Sequence, residues 1–311
     1  MKNKILKILT KTNGIKSGEK LSSELGVSRV SIWKHINKLR EAGYEIISTP
    51  KGYYLENNHD YLFPWEFPKR EADIHYFPET ESTMDIARNL ARKGCPDFTI
   101  VIAEKQTRGR GRLQRTWLSE KGGLFFTMVL RPVIPPVLSS RVNFAASCSL
   151  ARVINHLFNI DAKVKWPNDI LVCEKKISGM LSEMEADGDL VSFINIGMGI
   201  NVNNDPTPYE PNAASLKILA GKEISRKELL SAFLDDFQSA MKNIDYDKII
   251  DQWKQYTMTL GRYVSIATTK DVSRGLAIDV DKDGALILEL ADGKLKKIIY
   301  GDCFVQPPKK Q

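Results

Sequence analysis

The chain has 311 residues, of which 42% are hydrophobic and 27% are charged, with a net charge of +7. This composition is typical of a globular protein with two or three domains, and it excludes a collagen-like or wholly disordered chain. No apolar run reaches the roughly 18 residues of a membrane-spanning helix. The four cysteines include no CxxC pair, and lysines interrupt the apolar residues of the first nine positions. The sequence therefore predicts a cytoplasmic protein without a membrane partner.

Most of the excess positive charge lies in the first fifth of the chain. Residues 1–57 contain 11 Lys and Arg against 5 Asp and Glu, a net charge of +6, so the rest of the chain is almost neutral. A basic module joined to a neutral body indicates a partner with many negative charges, such as a nucleic acid. A solvated, lysine-rich surface would produce the same charge.

The basic module contains three helical patterns. The first is the apolar run at residues 5–9, the second begins after an N-cap at Ser17, and the third follows Ser28. Gly26 interrupts the chain between the second and third patterns, as in a helix-turn-helix. Two strand-like runs around a turn at residues 50–52 come next and predict a hairpin wing.

The third helical pattern has one face suited to DNA. Ile32, Ile36 and Leu39 define its buried stripe, and polar and basic residues lie opposite, where they can reach phosphates and base edges in a major groove. The candidate DNA-binding residues, with the wing lysine, are Ser28, Arg29, Val30, Lys34, Asn37, Lys38 and Lys51. A helical dimerisation module is the alternative interpretation. We predict a winged helix-turn-helix DNA-binding domain over residues 1–57.

The segment 58–73 is predicted to be a linker. Pro64 and Pro68 prevent a regular helix and stiffen the path of the chain. The four aromatic residues between positions 61 and 67 indicate that the linker packs on a domain instead of swinging freely.

Residues 74–260 alternate strand-like and helical patterns, which predicts an α/β domain with a mixed sheet. The strand candidates are Ile74–Phe77, Thr99–Ala103, Leu124–Leu130, Lys163–Lys165, Ile170–Val172, Ile177–Glu183 and Phe193–Gly197. The helix candidates are Thr83–Arg92, Ser139–Phe158 and Arg226–Met241. The last of these helices begins with a capping box from Ser225 to Glu228.

Three motifs in this domain combine charge with tight turns. Residues 104–112 join glycines, whose backbone amides can approach an anion, to arginines that bind phosphate or carboxylate. Residues 165–169 hold Lys165 and Asp169 where they can contact phosphate and magnesium, although these residues taken alone favour a plain connecting turn. Lys176 begins another strand, and small residues at 197–199 permit the close approach of a flat ring.

The last part of the chain, residues 261–311, contains five short strand-like runs. Hairpin signals occur at Asp283–Gly284 and Asp292–Gly293. Together they predict a small β-barrel. One interpretation of this barrel is a stability module without chemistry, and another is a module that docks a substrate.

The motifs, in the order in which they occur along the chain, resemble those of the biotin–protein ligases. The specific elements are Gly109–Arg112, Lys165–Asp169, Lys176–Gly179 and Gly197–Asn201. With a winged helix in front, the chain is similar to the bifunctional class that acts as biotin operon repressor and biotin–[acetyl-CoA-carboxylase] ligase. The resemblance covers nearly the whole chain. It implies a class II synthetase-like catalytic domain and an SH3-like C-terminal barrel.

The resemblance also implies a reaction and its partners. Biotin and ATP, with Mg²⁺, give biotinyl-5′-AMP and pyrophosphate, and a lysine of the biotin carboxyl carrier protein of acetyl-CoA carboxylase then accepts the biotin. The adenylate is implied to be the corepressor, which promotes formation of a homodimer and binding to operator DNA. A ligand-sensing transcription regulator without ligase chemistry and a lipoate-type acyl ligase are the alternatives.

The family motifs can be carried onto this sequence residue by residue. The implied biotin-binding residues are Ser82, Thr83, Met84, Gln106, Arg110, Gly111, Arg112 and Lys176. The implied nucleotide-binding residues are Trp117, Asn168 and Asn201. Because two anions must be joined, Arg112 and Lys176 are the catalytic candidates. Asp169 would assist them through Lys176 or as a magnesium ligand. Met84 stands where the family usually has Asn.

Overall fold

The computed structural model describes residues 1–11, 14–57, 60–269 and 271–305. The chain divides into two compact units, Met1–Ala72 and Asp73 onward. The helices are α1 (Lys2–Lys11), α2 (Gly18–Leu25), α3 (Arg29–Glu41), α4 (Thr83–Arg92), α5 (Ser139–Phe158), α6 (Leu216–Ala220), α7 (Arg226–Lys242) and α8 (Ile249–Tyr256). The strands are β1 (Ile46–Thr49), β2 (Gly52–Leu55), β3 (Ile74–Phe77), β4 (Thr99–Ala103), β5 (Leu124–Leu130), β6 (Lys163–Lys165), β7 (Asp169–Val172), β8 (Lys175–Asp187), β9 (Leu190–Ile200), β10 (Tyr263–Ala267), β11 (Val272–Val280), β12 (Leu286–Glu289), β13 (Leu295–Ile298) and β14 (Asp302–Val305).

The first unit has the predicted helix-turn-helix and hairpin wing. The Ser17 hydroxyl caps α2 by accepting from the Lys20 amide at 3.1 Å, and the Ser28 hydroxyl caps α3. Gly26 ends α2 in the left-handed conformation, with a φ of 66° that glycine adopts without strain. Ile32 and Ile36 are fully buried in one apolar cluster with residues of α1 and α2.

Part of the predicted linker packs on this same cluster. Tyr61, Phe63 and Trp65 lie against it, and the indole N–H of Trp65 donates to the Tyr44 hydroxyl at 3.0 Å. The Tyr44 hydroxyl in turn donates to Glu66 at 2.5 Å. The linker is therefore held on the winged helix. Its first two positions, residues 58 and 59, lie outside the described residues.

The second unit contains the predicted mixed sheet, in the order β3-β4-β5-β9-β8-β7-β6. Only β3 and β4 are parallel, and the other neighbours are antiparallel. Strands β8 and β9 extend well beyond the predicted runs. The far end of β8 alternates the partly buried acidic residues Glu183 and Glu185 with exposed residues such as Met184, and this polarity conceals a strand from a search for apolar runs.

Helices cover both faces of this sheet. Thr127 of β5 faces α4, where its hydroxyl lies 2.8 Å from that of Thr83. The next residue towards the N-terminus, Phe126, faces the other way and packs on Phe233 of α7, with ring centroids 5.8 Å apart. Helices α7 and α8 pack against the long α5. Among the described residues, no helix is both long and apolar enough to cross a membrane.

The C-terminal strands form a separate antiparallel sheet in the order β13-β12-β11-β10-β14. Gly284 and Gly293 have φ values of 84° and 77° in the predicted hairpin turns. The described part of this sheet ends at Val305, and the predicted domain continues beyond the described residues. Helices α6 and α8 had no counterpart among the predicted elements.

We predict that Phe237→Ala lowers the free energy of unfolding by about 3–5 kcal/mol, because it leaves a cavity where a fully buried ring packed. Phe237 is 0% exposed and stacks on Phe233. Urea unfolding followed by circular dichroism measures the change. Val137→Ala is the control, since Val137 is 66% exposed; equal effects of the two substitutions would contradict this packing.

Candidate active site

A cleft of about 360 Å³ opens in the second unit. Its walls come from the loop that contains the glycines and arginines, from the turn at residues 165–169, and from β8 and β9. A fourth wall comes from β14 of the C-terminal sheet. Segments more than a hundred residues apart in the sequence therefore meet around one cavity.

The glycine- and arginine-containing loop forms a tight hairpin, which we call the arginine hairpin (residues 109–117). The Gly111 amide donates to the Arg115 carbonyl at 2.7 Å, and the Trp117 amide donates to the Gly109 carbonyl at 2.9 Å. A Cβ atom at Gly109 would lie 2.4 Å from the Trp117 carbonyl oxygen, so only glycine fits there. The loop is thus part of the folded domain.

The glycines at the end of β9 accommodate a flat ring, as predicted, and that ring is the indole of Trp117. A Cβ atom at Gly199 would lie 2.3 Å from this indole, and one at Gly179 would lie 3.0 Å from it. The Lys176 ammonium lies 5.3 Å from the centroid of the same ring. Trp117 therefore forms part of the cleft floor beside a positive charge.

A buried carboxylate organises the cations of the cleft. Asp169 lies 2.7 Å from the ammonium nitrogen of Lys176 and 3.3 Å from that of Lys165. Burial acts to raise the pKa of Asp169, but the charges of Lys176 and Lys165 outweigh burial and lower the pKa below its ordinary value. Asp169 is consequently ionised and holds two ammonium groups at the cleft.

Arg112 brings a further positive charge to the same place. Its guanidinium donates to the Gly301 carbonyl at 3.1 Å and to the side-chain oxygen of Asn168 at 3.4 Å. Burial lowers the pKa of Arg112, while the nearby carboxylates of Asp302 and Asp169 act in the opposite direction. A guanidinium remains charged in proteins even after such a shift, so Arg112 can bind an anion.

A chain of neutral polar groups lies at another part of the cleft. The side-chain oxygen of Gln106 accepts from the Thr83 amide at 2.8 Å, and the Gln106 amide donates to the Ser119 hydroxyl at 2.8 Å. The Thr83 hydroxyl also contacts Thr127. Thr127 and Ser119 were missed by the sequence analysis, although a lone threonine inside the apolar strand β5 was an available signal.

Arg110 is engaged by two acidic residues that the sequence analysis also missed. Its guanidinium lies 3.0 Å from Asp85 and 3.1 Å from Glu183. These carboxylates belong to α4 and β8, so they attach one strand of the arginine hairpin to the domain. Arg110 also lines the cleft.

Nearly all the sequence-predicted site residues of this domain meet at the cleft. The predicted residues that line it are Thr83, Met84, Gln106, Arg110, Gly111, Arg112, Trp117, Asn168, Asp169, Lys176 and Asn201. Ser82 is buried next to the cleft and is not among its lining residues. Met84 packs over Gly197, where a Cβ atom would lie 2.6 Å from its sulfur. Lys165 of the motif at residues 165–169 lines the cleft as well. Lining residues that were not predicted as site residues include Arg115, Asp302, Cys303 and Phe304.

The cleft offers little to a metal ion held by protein side chains alone. Among the described ranges, no cluster of three or more His, Cys, Asp or Glu side chains is arranged to hold a metal. The predicted ligand Asp169 already pairs with two lysines. Magnesium commonly binds through one or two carboxylates together with substrate phosphates, and the carboxylates of Asp169 and Asp302 are among those that line the cleft.

The predicted DNA-binding residues lie on α3 and the wing. Arg29, Val30, Lys34 and Lys38 are exposed, and Asn37 is half-buried. Lys51 is exposed in the turn between β1 and β2. The Ser28 hydroxyl is used as the helix cap. Most of this set therefore forms one basic, solvent-facing surface.

Comparisons with known proteins agree with this architecture. Residues 2–54 match an HTH domain, residues 76–201 match the biotin/lipoate A/B protein ligase family, and residues 259–306 match the biotin protein ligase C-terminal domain. Bifunctional ligase/repressor BirA of Bacillus subtilis is 35% identical, and the alignment covers 92% of each chain. The protein of the same name from Escherichia coli is 28% identical over 94% of each.

A solved structure has a similar fold over three quarters of this chain. The biotin protein ligase from Aquifex aeolicus in complex with biotin and ATP has a TM-score of 0.63 and 26% identity, covering 75% of this chain and 98% of that chain. The fold and cleft thus define a protein of the biotin and lipoate ligase class. With the helix-turn-helix and the C-terminal domain included, the chain belongs to the family of bifunctional biotin ligase/repressors.

We predict that Asp169→Asn lowers the free energy of unfolding at pH 7 by about 2–4 kcal/mol, because it leaves two ammonium groups without their shared counter-charge. The folded-state pKa of Asp169 is lowered. Its stabilising contribution is therefore complete above the ordinary value of 3.8 and disappears as the pH falls through the folded-state pKa. Urea unfolding at several pH values measures the difference.

Asp161→Asn is the matched control for this prediction. Asp161 also pairs with a lysine, at 2.9 Å, but its side chain is 75% exposed. Little change is expected from the control because exposed ion pairs contribute little. A difference between wild type and Asp169→Asn that increases on acidification would contradict the account.

Proposed function

We propose that the chain is a bifunctional biotin–protein ligase and transcriptional repressor. Biotin and ATP react to give biotinyl-5′-AMP and pyrophosphate, and a lysine of the biotin carboxyl carrier protein of acetyl-CoA carboxylase then displaces AMP from the acyl carbon. The observation that carries the proposal is the convergence of Arg112, Lys165 and Lys176 on one cleft around Asp169. The 35% identity with a bifunctional ligase/repressor over 92% of the chain supports it.

The positive charge of the cleft reduces the repulsion between the two anionic substrates of the first step, adenylate formation. The biotin carboxylate must approach the α-phosphate of ATP, and two anions repel one another unless nearby cations neutralise them. Arg112 and Lys176 are the proposed catalytic cations, and Asp169 holds Lys176 in place. The carboxylate oxygen forms a bond to the α-phosphorus as the bond to the pyrophosphate oxygen breaks. Binding both substrates in one cleft supplies much of the rate.

The order of residues along β9 gives the proposed direction of the ligand. Gly197 lies under Met84 and beside Thr127, Gly199 lies under Trp117, and Asn201 follows at the end of the strand. We place the ring system of biotin near the neutral polar groups, including Thr83 and Gln106, with Ser82 buried behind them. The carboxylate then points towards Arg112 and Lys176. Arg110 and Gly111 complete the proposed biotin contacts.

The nucleotide is proposed to occupy the other end of the cleft. Trp117, Asn168 and Asn201 line the cleft and are the proposed nucleotide contacts. Magnesium would enter with the phosphates of ATP and neutralise their charge, and we propose Asp169 as its protein ligand. The segment 204–212, which includes the exposed Tyr209, lines the cleft in part and is proposed to cover the adenylate and exclude water.

The repressor activity is proposed to use the first unit. Ser28, Arg29, Val30, Lys34, Asn37, Lys38 and Lys51 are the proposed operator contacts, with α3 in a major groove. Biotinyl-5′-AMP would promote a homodimer, whose two-fold symmetry matches a palindromic operator. Because ATP, DNA and the carrier protein are the proposed partners, we also propose a cytoplasmic location.

A finer domain description belongs to the same proposal. The winged helix-turn-helix covers residues 1–57, the linker 58–73, the ligase domain 74–260 and the C-terminal domain 261–311. We propose that the ligase sheet is class II synthetase-like and that the antiparallel C-terminal sheet closes into an SH3-like barrel. The antiparallel strand order and the match to the biotin protein ligase C-terminal domain support this description.

The direct test mixes the purified full chain with biotin, ATP and Mg²⁺ and measures pyrophosphate. An acceptor carrier domain is then added, and its mass is expected to increase by one biotinyl group on a lysine. Replacing biotin with lipoate tests the related acyl ligase activity. Absence of pyrophosphate at every Mg²⁺ concentration would reject the enzyme, and biotin-dependent DNA binding without any need for ATP would favour a ligand-sensing regulator.

We predict that Lys176→Met reduces the rate of adenylate formation by roughly 10²- to 10³-fold, as expected for loss of a charge that stabilises the transition state. Pyrophosphate release under saturating substrates measures the rate. Lys163→Met is the control, because Lys163 is a lysine of the same sheet paired with Asp161, outside the cleft lining. If both variants lose activity equally, Lys176 has no special role.

We predict that Lys34→Ala and Lys38→Ala each weaken DNA binding and each reduce the slope of log affinity against log salt by about one. The DNA is first selected from a random library with protein loaded with biotin and ATP, and binding is measured by fluorescence anisotropy. Lys7→Ala on α1 is the control, since Lys7 is exposed on a different helix. Unchanged salt dependence in the α3 variants would remove this helix from the interface.

A further inference from the structure

The tip of the arginine hairpin has an unfavourable backbone conformation. Leu113 has φ 51° and ψ 39°, and Gln114 has φ 58°. The Arg115 amide donates to the Arg112 carbonyl at 3.1 Å, which closes the turn. Positive φ at both central residues is the feature of a type I′ turn, which favours Asn-Gly. Leucine and glutamine adopt positive φ only at an energetic cost, so other contacts must stabilise the tip of the hairpin.

Little apolar packing compensates for this cost. The Leu113 side chain is 44% exposed, and Gln114 is also exposed. The arginines on either side of the turn are instead held by the C-terminal sheet. Arg112 donates to the Gly301 carbonyl at 3.1 Å, and Arg115 forms an ion pair with Asp302. The Asp302 side chain is only 14% exposed, so the pair is partly shielded from water.

Two consecutive residues, Gly301 and Asp302, therefore contact the arginines on the two sides of the strained turn. Gly301 has a φ of 146°, and a Cβ atom there would lie 2.6 Å from Ile266. This close approach brings the Gly301 carbonyl to Arg112 and leaves Asp302, the first residue of β14, opposite Arg115. Both contacts join the C-terminal sheet to the wall of the cleft.

We infer that Asp302 is a positioning residue for the ligase reaction, which holds the arginine hairpin in its strained conformation and thereby keeps Arg112 at the cleft. This inference rests on the proposed ligase function. Asp302 is a carboxylate in a cleft proposed to bind two anions, so direct contact with either substrate would be repulsive. Its pairing with Arg115 gives it a role through the hairpin instead.

The first test measures hydrogen–deuterium exchange in the full chain without substrates. Asp302→Asn is expected to speed exchange at the amides of Gly111, Arg115 and Trp117 by roughly three- to tenfold, the effect of losing a partly buried ion pair. Asp302→Glu is expected to restore most of the protection. Asp292→Asn is the control, since Asp292 pairs with Lys294 in another turn of the same sheet. Unchanged exchange in Asp302→Asn would overturn the inference.

The second test relieves the strain at the tip. Gln114→Gly is expected to slow exchange at the same three amides, because glycine adopts positive φ without cost. Added to Asp302→Asn, it is expected to recover part of the lost protection. Gln114→Ala is the matched control, since alanine keeps the cost. Equal effects of glycine and alanine would contradict a hairpin held against backbone strain.

The third test connects the hairpin to the reaction. Asp302→Asn is expected to raise the KM for biotin and the release rate of biotinyl-5′-AMP by several-fold, with a smaller change in kcat and with rescue by Asp302→Glu. A gain of activity in Asp302→Asn would overturn the positioning role. The exchange experiments need no substrate, so failure of the proposed ligase function and failure of the hairpin contact give different results.

Discussion

The ion pairs of Asp169 with Lys165 and Lys176 are the interaction on which the cleft depends. Two ammonium groups close together repel each other, and a shared buried carboxylate offsets that repulsion. The same carboxylate fixes the position of both lysines, at 3.3 and 2.7 Å. With Arg112 nearby, the cleft keeps a concentrated positive charge in the folded protein before any anionic ligand arrives.

Backbone geometry brings this charge within reach of a ligand. Gly199 lets Trp117 lie flat on β9, and Gly109 lets the arginine hairpin close on itself. The tip of that hairpin is strained, and Gly301 and the first residue of β14, Asp302, supply the contacts to Arg112 and Arg115 that hold it. The C-terminal sheet is thus a structural part of the cleft, and we propose that it contributes to ligation by controlling the hairpin.

Local sequence signals predicted much of this structure. Ser17, Ser28 and Ser225 cap the helices that were predicted to begin after them. These caps were predictable because helix capping depends only on residues within one turn of the helix end. The glycine- and arginine-containing loop was recognisable for a related reason, since its chemistry lies in consecutive residues. These signals, taken in order, also carried the family resemblance that the comparisons confirm.

Contacts between distant segments could not be predicted in the same way. Asp85 and Glu183 hold Arg110, and Asp302 holds Arg115, yet none of these acids lies in a recognisable motif. Their roles arise from strand pairing and from the approach of β14, which bring together residues separated by as many as 189 positions. The small residues at 197–199 predicted the close approach of a flat ring without identifying it, and in this structure the ring at Gly199 is the indole of Trp117.

A crystal structure of the full chain with biotinyl-5′-AMP tests the central claim most directly. The account predicts that the oxygens joining the acyl and phosphate groups lie within hydrogen-bond reach, about 3.5 Å or less, of both the Arg112 guanidinium and the Lys176 ammonium. An adenylate bound elsewhere, with these two cations still facing only protein groups, would contradict it.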